Sequence, residues 1–289
     1  MKTFYFLVFP ICLLFSCNRT ENKKVDSIST KKLDRSLPPG YNDLRKSKNL
    51  DEILCHAWEN DDDKEERGEG YESSGIDIVK RGYNFFRDGF VVKDLRGTIQ
   101  IGKWIIDTSA GSVRIHNNFK TGKEDLKIAL LKPGVFNFLK SNEMHLYSGA
   151  AFSHTDEKKD PFHPVNNTWR IKAAQPESAQ QIRTRLKSCI RFFVLFYDEA
   201  IETNAQVVSF TGLPSCFTWY SGGIYMQQRD KLQEKWIECF YDANDADKGY
   251  KIAGKLLQQK YTWPKGEKNW LKLNVSVLKQ MENRIDSIN

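Results

Sequence analysis

The sequence predicts an α+β protein: an N-terminal antiparallel β meander, closed as a barrel or a sandwich, followed by a C-terminal α+β domain with one long buried helix. Three observations predict it. Between Ile76 and Phe152 the chain is a series of short β-prone runs separated by turn residues, the pattern of an all-β meander. From Pro176 to Ile201 apolar residues recur at helical spacing almost all round the helix, which marks a helix buried on every side. Between them, Ser153 to Asn167 is polar, with Pro161 and Pro164, and reads as a domain boundary.

In chain order, Lys2 precedes an apolar run from Phe4 to Phe15. The run is too short to span a bilayer, which takes about 20 apolar residues, and has the charged-then-apolar layout of a secretory signal. It ends Leu14-Phe15-Ser16-Cys17, a small residue just before a cysteine. This resembles the lipobox of bacterial lipoproteins. The resemblance implies a signal peptide over residues 1–16, cleavage before Cys17, a diacylglyceryl group on its thiol and acylation, with palmitate or a similar chain, of the new amino terminus. Phe15 is bulkier than the commonest residue at its place in that motif. Acyl chains contribute about 0.8 kcal/mol per buried CH₂, so two or more anchor stably. Asn18 stands where an aspartate retains such lipoproteins in the inner membrane, so the implied location is the cell envelope, at the outer membrane.

Residues 17–49 carry no apolar periodicity and contain Pro38-Pro39-Gly40, and they read as a flexible tether. Asn18 to Lys48 holds nine Lys or Arg against four Asp or Glu, most of the chain's net charge of +7. The folded remainder is close to neutral, which argues against nucleic acid as a partner. Basic residues beside a lipid anchor suit anionic head groups.

Residues 50–152 are expected as the β domain. Glu59 to Glu66, with Gly68 and Gly70, reads as an acidic loop. Asp88-Gly89 between Tyr83-Asn84-Phe85-Phe86 and Phe90-Val91-Val92 is a hairpin signal. Thr98 to Ile101 and Lys103 to Asp107 read as two runs broken at Gly102. Ser112 to Phe119, Leu126 to Leu131, Val135 to Leu139 and Met144 to Phe152 complete the meander. Leu54-Cys55-His56-Ala57-Trp58, Phe86-Arg87-Asp88-Gly89 and Gly102-Lys103-Trp104 resemble the opening L-x-G-x-W, the next hairpin and the G-x-W strand of small bacterial lipocalin-like domains, with His56 in place of the first glycine. That resemblance implies a small barrel able to enclose an apolar ligand, with Trp58, Phe85 and Trp104 as ligand-contact candidates. Core packing is the competing role for the tryptophans.

Residues 165–289 are expected as the α+β domain. After the long helix, Gln206 to Thr211, Cys216 to Tyr220 and Ile224 to Met226 read as a small antiparallel sheet. Leu232 to Tyr241 fits either a helix or a strand, and Asp242 to Gly249 reads as an acidic turn. Helices follow from Ala246 to Tyr261 and from Asn269 to Ile285.

The chemistry-bearing patterns are sparse. There is no G-x-S-x-G, HExxH or CxxC, and the glycine pair Gly222-Gly223 lacks the rest of a phosphate loop. No catalytic residue, cofactor or metal is expected. His154, Asp156, Asp160 and His163 cluster in sequence but read as a solvated linker, and Asp245, Asp247 and Gly249 match a calcium loop incompletely. Cys55, Cys189, Cys216 and Cys239 remain after the anchor, and allow three pairings in an oxidising compartment. The reading is a membrane-anchored envelope lipoprotein, non-enzymatic, binding a small apolar ligand or an envelope protein. The alternative is an envelope hydrolase built on carboxylates.

Overall fold

The computed structural model describes residues 49–60, 76–77, 82–95, 97–108, 113–150, 156–204, 208–209, 215–220, 223–226 and 234–288. All lie in one compact unit, Gly40–Asn289. Residues 1–48, with Cys17 and the stretches expected to be signal peptide and tether, and the expected acidic loop after Asn60 lie outside the described residues.

The meander closes on itself as a barrel, not a sandwich. Its strands are β1 (Ala57–Asn60), β3 (Gly82–Phe85), β4 (Phe90–Asp94), β5 (Ile99–Asp107), β6 (Arg114–Phe119), β7 (Gly122–Lys132), β8 (Val135–Lys140) and β9 (Glu143–Ala150). Each pairs antiparallel with its neighbour, and β9 pairs back onto β1 through Trp58↔Gly149. Eight antiparallel strands in up-and-down order leave no open edge. The barrel occupies the middle of the chain.

The turns obey local chemistry. Gly89 sits at φ +82° after Asp88, whose side chain accepts from the Phe90 amide at 3.2 Å, so the Asp-Gly hairpin forms as expected. Gly102 does not break a strand. It lies inside the continuous nine-residue β5, where a Cβ would come within 2.7 Å of the Asn118 carbonyl oxygen and the Phe119 ring. Its small size admits a close neighbour rather than a turn.

Helix α1 (Leu50–Leu54) caps one end of the barrel. Leu50 and Leu54 join its core, and the Trp58 indole donates to the Leu54 carbonyl at 2.8 Å. Gly149 lets that indole lie flat against β9, since a Cβ there would meet it at 2.4 Å.

The helical part is built on α2 (Ala179–Glu202), with α3 (Glu234–Glu238), α4 (Ala243–Leu257) and α5 (Trp270–Arg284). Ser178 starts α2 with a reciprocal cap to Gln181, which satisfies two otherwise orphaned amides. Ile182, Leu186, Cys189, Ile190, Phe193 and Tyr197 are buried as the spacing predicts, in one core with α4 and α5. Asn269 caps α5 by accepting from the Leu271 and Lys272 amides.

Three expectations change, and the open alternative of helix or strand over Leu232 to Tyr241 is decided. The stretch Asp242–Gly249 is the start of α4, not a turn, because the Asp242 side chain accepts from the Asp245 amide and caps it. Leu232 to Tyr241 contains a helix, α3. The small sheet is split: β11 (Phe217–Tyr220) and β12 (Gly223–Met226) form an antiparallel pair, while β10 (Val208–Ser209) runs parallel to β2 (Ile76–Asp77). Lastly, the segment after the barrel is no solvated linker. Asp160, Phe162, His163, Asn167, Trp169 and Arg170 are all buried.

That segment ties barrel to helices. His163 lies against the Phe86 and Phe90 rings on the barrel's outer face, with centroids 4.7 and 6.1 Å apart. Arg170 donates to both carboxylate oxygens of Asp94 and to the Gly97 carbonyl, at 2.7–2.9 Å.

Candidate functional site

Alternation along the strands decides which side chains enter the barrel. Phe85, Val91, Ile115, Leu126 and Phe138 face inward and belong to one buried core. The residues two places away share that face. They are Tyr83, Lys93, Asn117, Glu124 and Lys140, and they lie toward the end opposite α1.

The half nearest α1 is filled. Phe136 lies 5.3 Å from the Trp58 ring, 5.9 Å from Phe85, 4.9 Å from Phe138 and 6.1 Å from Tyr147. Such contacts are favourable beyond their buried area. The other half mixes apolar rings, Phe119 among them, with a polar cluster. Glu124 accepts from the Tyr83 hydroxyl at 2.8 Å, from Lys140 at 2.7 Å and from Lys93. Next to it in register is Asn117, which also sits opposite Trp104. Asn117 is only 1% exposed, and its amide nitrogen and oxygen both lack a hydrogen-bond partner among the described residues. An unsatisfied buried amide costs about 1–3 kcal/mol.

Electrostatics follow from this arrangement. Burial raises the Glu124 carboxyl, but hydrogen bonds from Lys140, Lys93 and Tyr83 outweigh it and hold the group below its ordinary value. Burial, with Glu124 beside it, pushes the Tyr83 hydroxyl far up, so it stays a donor. Two ammonium groups thus share one carboxylate, and the cluster carries an excess positive charge. It can hold a hydrogen-bond acceptor or an anionic group. It is poorly arranged for acid catalysis, which needs a carboxyl raised toward the working pH.

Of the residues singled out from sequence, Cys17 lies outside the described residues. Trp58 is 1% exposed, in the packed half under α1. Phe85 is fully buried between Phe136 and Trp104, its ring edge-on to both at 5.9 Å. Trp104 is half-buried, donates to the Phe86 carbonyl at 3.0 Å and is the one of the three beside Asn117. Tyr83, Lys93, Asn117, Glu124 and Lys140 were not anticipated. The signal for them was present: each is a polar residue on the apolar phase of a strand.

The remaining clusters disperse. Asp156 accepts from the Lys158 amide, Asp160 from the Phe162 amide at 2.7 Å, and His163 faces Asp88 at 3.2 Å, so these groups serve the chain rather than one ion. His154 lies outside the described residues. Asp245 accepts from the Glu177 amide and from Lys248, both at 2.7 Å. Among the described residues no three His, Cys, Asp or Glu groups converge on a metal position. Cys55, Cys189, Cys216 and Cys239 are all buried, and among the described residues none of them is joined in a disulfide. Burial pushes the Cys55 and Cys239 thiols up to about 12, far from a reactive thiolate.

No family model, curated protein or solved structure matches this chain. Among the described residues, no helix is long and apolar enough to cross a membrane.

Proposed function

We propose that the protein is a lipid-anchored envelope protein, acylated at Cys17, whose barrel binds a small, largely apolar ligand by its polar end. The observation that carries the binding half is the inward cluster of Tyr83, Lys93, Glu124 and Lys140 beside the Asn117 amide, which has no hydrogen-bond partner among the described residues. A barrel of eight strands is just wide enough either to be filled by side chains or to hold one small molecule. Here the Trp58 half is filled, so the ligand belongs to the half lined by Trp104, Asn117 and the lysines. The anchor rests on Leu14-Phe15-Ser16-Cys17, with outer-membrane placement resting on Asn18. A carboxylate hydrolase would need a second acid converging on Glu124, whose neighbours are instead two lysines.

Two measurements test this. Intact mass of the amino-terminal peptide from membrane fractions should show an acylated Cys17, with Cys17→Ala left unprocessed and unmodified. Anilinonaphthalene sulfonate, an apolar anion, should bind and be released by the combined Lys93→Met and Lys140→Met change. Unmodified Cys17 ends the anchor reading, and probe binding indifferent to the lysines ends the barrel-site reading.

A further inference from the structure

The C-terminal helical region presents a second feature that the barrel site does not use. From Lys255 to Lys279 the chain has six lysines, at 255, 260, 265, 268, 272 and 279, and one acid, Glu267. All six lysines are exposed. Within this stretch Trp263 is 50% exposed and Trp270 is 37% exposed. Residues 49–289 together carry a net charge of only +1, so outside this stretch the folded part is net negative, at −4, and positive charge is concentrated here.

The segment between α4 and α5 is held in place. The Thr262 amide donates to the Gln280 side chain at 3.0 Å, and Gln280 donates back to the Thr262 carbonyl at 2.8 Å. Arg284 donates to the Lys260 carbonyl at 2.6 Å and stacks over the Tyr261 ring at 5.1 Å. At the other end Asn269 caps α5, and Glu267 turns onto the Asn269 amide at 2.8 Å. The Trp270 ring leans edge-on against Tyr197, with centroids 6.0 Å apart. The two tryptophans are therefore offered to solvent from a fixed frame, at little cost in ordering on contact.

We propose that this exposed stretch, Trp263 and Trp270 with Lys260, Lys265 and Lys268, docks on an anionic phospholipid leaflet. Indoles settle at the head-group level of a bilayer, where an apolar ring and a polar N–H are both accommodated. Lysines extend apolar stems and place their charges against anionic head groups, an attraction that salt screens. The inference rests on the lipid-anchored reading only in that the anchor brings a bilayer within reach. An anchor and a surface contact acting together bind far better than either alone.

The test uses residues 17–289 with Cys17→Ser, which has no signal and no lipid; every described element lies in the compact unit Gly40–Asn289 and is retained. Co-sedimentation with phosphatidylglycerol vesicles should exceed that with phosphatidylcholine vesicles by tenfold or more, and should fall in high salt. Trp263→Ala, and separately the pair Lys265→Glu and Lys268→Glu, should each lower binding about tenfold with the circular dichroism spectrum unchanged. The same charge change on the barrel surface, Lys123→Glu with Lys127→Glu, should have a much smaller effect. Equal binding to both lipids, insensitivity to Trp263→Ala, or equal loss in the barrel control would each overturn the proposal. Binding to soluble polyphosphate but not to vesicles would also overturn it, in favour of a polyanionic partner. Because this protein carries no acyl group, the result is independent of whether Cys17 is acylated.

Discussion

Arg170 and Asp94 form a bidentate ion pair buried between the barrel and the helices, with nitrogen–oxygen distances of 2.8 and 2.7 Å. The side chains are 2% and 5% exposed, and the third guanidinium contact goes to the Gly97 carbonyl at 2.9 Å. The paired geometry matches the two flat groups and satisfies most of the polar atoms that burial strips of water.

Removing one partner leaves a buried charge without compensation. Arg170→Ala should destabilise the protein by about 3–5 kcal/mol, read as a lower midpoint in urea unfolding. Arg170→Lys should recover only part of this, since an ammonium cannot bind both carboxylate oxygens. A loss under 1 kcal/mol for Arg170→Ala would show that the pair contributes little to joining the two parts.

Glu124 gives a pH signature. Its folded pKa is depressed below the ordinary 4.5 by Lys140, Lys93 and Tyr83 acting against burial. A depressed carboxyl contributes stability that is present above its unfolded value and lost as pH falls through the folded one. Stability should therefore decline below about pH 4.5, and Glu124→Gln should flatten part of that decline. At neutral pH the same variant should cost about 1–3 kcal/mol, because two lysines then face no carboxylate. An unchanged acid limb in thermal melts at stepped pH would refute this role.

Asn117 separates stability from binding. With no partner for its amide among the described residues, Asn117→Leu keeps the approximate volume and removes a desolvation cost. The ligand-free protein should gain about 1–3 kcal/mol in urea unfolding. It should also bind anilinonaphthalene sulfonate more weakly than the parent, since the inward polar contact is gone. A variant both less stable and equally able to bind would show that the amide is structural.

Local order was readable because it depends on neighbours in sequence. The Asp88-Gly89 turn, the α2 register from Ile182 to Tyr197 and the Asn269 start of α5 each follow from residues within a few positions. Gly102 misled as a turn, because its function is a close approach to Asn118 and Phe119 across the sheet. Asp242 misled in the same way, as an N-cap looks like any acidic turn until the helix behind it is known.

By itself the sequence determined the strand and helix alternation, the packed character of α2 and the lipobox-like start. It determined these because backbone preference and apolar period act over short spans. Tertiary structure decided the rest: that the meander closes through Trp58 and Gly149, that Asp156 to Asn167 runs into a buried junction, and that Tyr83, Lys93, Asn117, Glu124 and Lys140 meet. Those groups come from five different strands. Only closure of the barrel turns a shared inward phase into one neighbourhood, where burial makes each unpaired polar atom costly.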